Sequence, residues 1–211
     1  MKNQKPLAIV AGAGSGLGQS LLSRFEHEGF NVIGLGRTAP ANPVGTFHRL
    51  DLADESAVPV KIDEIISTYG APKIVVHNTA ELVIAPFDDT KLSDFSRTWT
   101  SMVQTAFLLG QATLPPMTNA GGGTFIVSGA TASLRGGAKF AAFASAKFAL
   151  RGLTQSLARE YQPQGVHVCH AILDGIIDTT RSRDLHSLDP AKMMKPKDCL
   201  LYTSPSPRDR G

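Results

Sequence analysis

The string Ala11-Gly12-Ala13-Gly14-Ser15-Gly16-Leu17-Gly18 constrains this chain more than any other segment. It stands between a short apolar run, Leu7–Ala11, and a helical pattern over residues 16–28. Glycines at such a junction permit a tight turn. They also let backbone N–H groups approach a phosphate at the positive end of the following helix. A glycine-rich turn alone is a weak signal, because an unliganded turn has the same composition. Its place between the first strand and the first helix makes it a strong one.

The rest of the sequence repeats that alternation. Apolar runs at Leu7–Ala11, 32–35, 46–50, 73–77, 124–128 and 166–172 read as strands, separated by helical patterns at 16–28, 54–69, 92–117 and Ala141–Tyr161. Strands and helices in this order predict an α/β fold: a Rossmann-type, doubly wound parallel sheet with helices on both faces. At 211 residues and 42% hydrophobic content, the chain can bury one sizeable core. No single apolar period covers 92–117, so two helical pieces fit it as well as one. Pro59 falls in the first turns of the second helix.

A net charge of +3 with no block of basic and aromatic residues argues against nucleic acid as a partner. The apolar run near the N-terminus is too short to span a membrane. Two cysteines, Cys169 and Cys199, make no disulfide framework. A cytoplasmic protein acting on a small molecule, with no metal site, is the expectation. Residues 199–209 read as an in-frame translation of a transposase adapter used in sequencing libraries, so 199–211 is expected to be a non-native scar. The domain is then expected over 1–198, incomplete at its C-terminal side.

The second strand narrows the ligand. Sites that bind NAD usually place a carboxylate about 20 residues beyond the glycines, where it holds the ribose diol. No Asp or Glu occurs from Asn31 to Leu50, and Gly36-Arg37 stands where that acid would fall. A small residue leaves room and a guanidinium suits a 2′-phosphate, so NADP(H) is expected over NAD(H). An AdoMet-dependent methyltransferase shares the glycine loop but would also need a ribose-binding acid there.

With these residues in place, the chain resembles the short-chain dehydrogenase/reductase family over nearly all of residues 7–198. Gly12, Gly16 and Gly18 match its Gly-x-x-x-Gly-x-Gly loop, and Ser15 and Leu17 lie within it. Asp51, followed by Leu52, matches the family's adenine-contacting Asp. His77-Asn78-Thr79-Ala80 is similar to its Asn-Asn-Ala-Gly segment, with Asn78 retained. Asp174-Gly175-Ile176-Ile177-Asp178-Thr179 resembles the segment whose backbone holds the nicotinamide carboxamide, with Gly175, Ile177 and Thr179 matching and Asp174 replacing a proline. The resemblance further implies that Lys147 binds the nicotinamide ribose. It also implies a homo-oligomer built through long helices, around Phe107 and Phe148.

The departures fall on the chemistry. The family's Asn, Ser, Tyr and Lys tetrad maps onto Met102, Ala130, Phe143 and Lys147, so Phe143 occupies the position of the proton-donating tyrosine. Ser128 shares a strand face with Ala130 but sits ~7 Å away along the chain. It is a candidate to polarise a carbonyl only if the strand end is displaced; a structural hydroxyl is the alternative. His77 reads as a strand-end histidine rather than a proton donor. Two functions stay open: an NADP(H)-dependent oxidoreductase of carbonyl/alcohol substrates with doubtful turnover, and a catalytically silent nicotinamide-binding sensor or partner subunit.

Overall fold

β1 (Leu7–Ala11), β2 (Asn31–Gly36), β3 (Thr46–Arg49), β4 (Pro72–His77), β5 (Gly123–Ser128) and β6 (Val166–Ala171) lie parallel in one sheet, ordered β3-β2-β1-β4-β5-β6. The structure, a computed structural model, describes residues 5–185 and 189–200. From β1 the chain steps outward to β3, then crosses back to pair β4 with the other side of β1. Strand order therefore reverses between β1 and β4. A crevice opens beyond the C-terminal ends of two such strands, because their connections leave in opposite directions.

β1 shows how sequence sets the layers. Its five residues are all buried, and alternate side chains enter different cores. Leu7, Ile9 and Ala11 face a large cluster that includes α2 (Ala57–Tyr69), α4 (Thr105–Asn119) and α5 (Ala141–Tyr161), through residues such as Ile62, Leu109 and Leu150. Ala8 and Val10 face a smaller cluster with Leu22 of α1 (Leu17–His27). Burying a leucine such as Leu22 contributes about 1.5–3 kcal/mol toward holding its helix on the sheet.

The predicted strands are all present, with ends shifted by at most one residue. The helices need one correction, and one open alternative is decided. The second starts at Ala57 rather than at residue 54, because the Asp54 carboxylate accepts bonds from the backbone N–H groups of Ser56 and Ala57. Asp54 thus closes the turn that leads into the helix. The pattern over 92–117 divides into α3 (Leu92–Trp99), a π-helical turn at Thr100–Gln104, and α4. One extra residue in that turn shifts the helical phase, which explains why no single apolar period fits. A short α6 (Thr180–Leu185) follows β6. Among the described residues, no helix is long and apolar enough to cross a membrane.

Candidate functional site

The glycine loop occupies the crevice at the strand reversal. Gly12 has φ +88°, and a Cβ there would lie 2.7 Å from the Asn78 carbonyl carbon. Asn78 closes the same junction: its N–H donates to the Ala11 carbonyl at 2.8 Å and its Nδ2 to the Gly12 carbonyl at 3.2 Å. A Cβ on Gly18 would sit 2.4 Å from the Gly12 oxygen. Backbone therefore packs on backbone across the loop. Gly16 precedes α1 with no side-chain cap, which leaves the helix's positive end open to a ligand.

A cavity of about 590 Å³ opens on this loop. Gly12, Ser15, Gly16, Leu17, Gly18, Arg37, Asp51, Leu52, Asn78 and Thr179 all line it. A Cβ on Gly14 would meet nothing within 4 Å, so the loop's outer face is clear. Arg37 lies exposed at the end of β2 and forms no ion pair with any described residue. An elongated ligand bearing phosphates fits these walls: amides at one helix end, a guanidinium beside them, and no carboxylate on β2.

Lys147, Gly175 and Ile177 lie outside that cavity. Lys147 is buried on α5, where its Nζ donates to the Ser128 carbonyl at 2.8 Å and lies 5.6 Å from the centre of the Phe143 ring. Burial draws its pKa down to about 8. The four-residue spacing of Phe143 and Lys147 places them on one face of α5, as the sequence predicts. Ser128 contributes its carbonyl, and its side chain lines neither cavity.

A second cavity of about 340 Å³ is walled by Ala130, Thr131, Ala132, Arg135, Gly136, Gly137, Phe140, Phe143, Leu173, Asp174, Gly175 and Ile176. Thr131 donates its hydroxyl to the Asp174 carboxylate. Residues 173–176 line this cavity and Thr179 lines the first, so one segment runs between them. Within it Ile177 pairs with Met194 in an isolated bridge. Met102 lies in neither wall. It is fully buried in the main core, on the π-helical turn.

Two polar clusters centre on His77, which the sequence reads as a strand-end histidine, and on His170. His77 is fully buried; its Nε2 bonds Thr105 Oγ1 at 2.8 Å and Thr79 Oγ1 at 2.9 Å, while Nδ1 has no partner among the described residues. Burial, then the charges of Lys147 and His170, holds its pKa near 3, so the ring is neutral and gives no proton at ordinary pH. His170 bonds Ser133 Oγ at 2.9 Å and Thr154 Oγ1 at 3.3 Å. Burial, then Lys147 and Arg151, lowers its pKa to about 4. Ser133 Oγ in turn accepts the Ala130 N–H at 3.1 Å, fixing the wall of the second cavity. The His77 and Thr79 spacing, two apart at a strand end, was a usable signal for the first cluster. Nothing in the sequence pointed to His170 with Ser133.

The sheet order, the switch-point crevice and the glycine loop define a dinucleotide-binding oxidoreductase fold. Residues 6–188 match the family model described as short chain dehydrogenase, and the chain belongs to the short-chain dehydrogenase/reductase family. It is 31% identical over 199 residues to the 3-oxoacyl-(acyl-carrier-protein) reductase FabG of Pseudomonas aeruginosa, covering 88% of this chain and 79% of that protein. A short chain dehydrogenase from Salmonella enterica serovar Typhi superposes with a TM-score of 0.85 at 26% identity, over 94% of this chain and 88% of its own. The structure of ElxO with NADP bound shares the fold, with a TM-score of 0.79 at 20% identity, over 85% and 77% of the two chains.

Proposed function

We propose that this protein is an NADP(H)-using oxidoreductase whose site turns over ordinary carbonyl and alcohol substrates slowly. The observation that carries the cofactor choice is Arg37 on the wall of the larger cavity, after a strand that supplies no carboxylate. The reduced nicotinamide, when bound, supplies a hydride. The loop Gly12, Ser15, Gly16, Leu17 and Gly18 would hold the pyrophosphate against the start of α1. Arg37 would pair with the 2′-phosphate, Asp51 and Leu52 would border the adenine, and Asn78 would fix the adjoining backbone. Lys147 would hold the nicotinamide ribose, with Gly175, Ile177 and Thr179 on the carboxamide side.

Slow turnover follows from Phe143 as the residue in the tyrosine's position. Its ring can orient a substrate but has no proton to give. General acid catalysis is typically worth ~10²–10⁴-fold. The exposed rings of Phe107 and Phe148, on α4 and α5, support a homo-oligomer; a cytoplasmic location belongs to the same proposal. Fluorescence titration with NADPH and NADH tests the cofactor reading. NADPH should bind more tightly, and Arg37→Ala should weaken it by about ten- to a hundredfold while leaving NADH little changed. Equal affinities in the unmodified protein would overturn it.

A further inference from the structure

We infer that the second cavity takes a substrate that is already a cation at a carbon–nitrogen double bond, an iminium ion, with Asp174 as its counter-ion. This rests on the oxidoreductase reading above and names the substrate class for the same site. Phe140 and Phe143 present two aromatic rings in a cavity of about 340 Å³ that also contains the Asp174 carboxylate. Aromatic faces and a carboxylate are the groups that recognise an organic cation. The Thr131 hydroxyl is the lone side-chain hydroxyl among the described residues of this wall, and its proton is committed to Asp174. Arg135 is the other charged lining residue. It forms no ion pair with Asp174, and a guanidinium does not release protons. Lys147 does not line this cavity; its Nζ, 5.6 Å from the Phe143 ring centre, is held by the Ser128 carbonyl.

Among the described residues, these walls offer no group to protonate a nascent alkoxide, so they suit a reduction that needs no proton. An iminium carbon that accepts a hydride forms its new C–H bond as the C=N π pair moves onto nitrogen. The product is a neutral amine, and the reductant, a reduced nicotinamide dinucleotide, ends as its oxidised pyridinium form. Charge and electrons balance with no acid. The proline-to-aspartate departure at residue 174 and the phenylalanine at residue 143 then serve one chemistry.

The test uses the purified protein with NADPH, an N-methyl cyclic iminium salt and the ketone of the same ring size, with uncatalysed rates subtracted. N,N-dimethylpiperidinium, which cannot be reduced, reports cation binding by calorimetry without cofactor. The iminium kcat/KM should exceed that of the ketone by roughly a hundredfold or more. Asp174→Asn should lower it, and weaken dimethylpiperidinium binding, by about tenfold, with the NADPH Kd unchanged. Asp174→Glu should recover part of both. A ketone reduced as well as the iminium, or cation binding indifferent to Asp174→Asn, would overturn the inference. So would reduction of neither substrate by protein that binds NADPH, which leaves the cofactor reading standing. Failure to bind NADPH sinks the cofactor reading itself and this inference with it.

Discussion

The two cavities are built from different material. The larger is walled at its critical junction by backbone: Gly12 against Asn78, and Gly18 against the Gly12 carbonyl, with contacts that a single Cβ would violate. The smaller is walled largely by side chains on a loop, on α5 and on the segment after β6: Thr131, Arg135, Phe140, Phe143 and Asp174. A backbone site admits few residues and so announces itself. A side-chain site can change its chemistry one residue at a time without disturbing the fold. The loop from Gly12 to Gly18 is therefore tightly constrained, and the walls around Phe143 and Asp174 are where change costs the fold least.

The comparison breaks hardest at Gly18. Its Cβ would meet backbone that cannot rotate away, so Gly18→Val should cost about 3–5 kcal/mol of stability and roughly a hundredfold or more in NADPH affinity. Urea denaturation beside fluorescence titration reads both. A variant of full stability and affinity would show that the loop is looser than its packing indicates.

Next in size is the acid response of the junction behind the cavities. His77 has its pKa held near 3 in the folded protein, against an ordinary value of 6.5. Unfolded chains bind this proton first, so stability is lost as pH falls from about 6.5 toward 3. The unmodified protein should lose about 2–4 kcal/mol more than His77→Asn between pH 7 and pH 4, measured by urea midpoints. Parallel losses in the two proteins would place the acid sensitivity elsewhere.

The side-chain half should be permissive. Ala130→Ser with Phe143→Tyr should raise the rate of NADPH-dependent ketone reduction by roughly ten- to a hundredfold, and by more than the product of the single changes. Phe143→Tyr alone should give about threefold or less, since the new hydroxyl would find few partners. Both variants should keep the parent's thermal midpoint to within a few degrees. A large gain from the single change would mean that another group already completes the relay.

How much could be read from the sequence follows the same division. Strand positions and the glycine loop were legible because apolar runs and glycines reflect local geometry. The expected cofactor residues from Gly12 to Asn78, with Thr179, converge on one cavity because strand ends bring them there. By resemblance Met102 takes a catalytic position, yet the π-helical turn places it in the core. The broken apolar period over 92–117 signals a phase shift, but no residue type marks where it falls. The Thr131–Asp174 bond joins positions 43 apart in sequence, and neither residue type marks a partner so remote. The Ser128 hydroxyl is the candidate group in the sequence, but it is the main-chain oxygen that meets Lys147.

The parallel sheet also sets a timetable. Leu7 of the central strand pairs with Asn31 on one side and with Pro72 on the other. Chains lengthen at about 5–20 residues per second, so β1 waits roughly 3–13 s for β4 to be synthesised. Through that interval its apolar residues have half of their final company. None of the strand pairings can close through a tight hairpin, because every one is parallel. Assembly is correspondingly slow. Leu7–Ala11, buried throughout at the end, is made well before β4 and is open to wrong partners until β4 arrives.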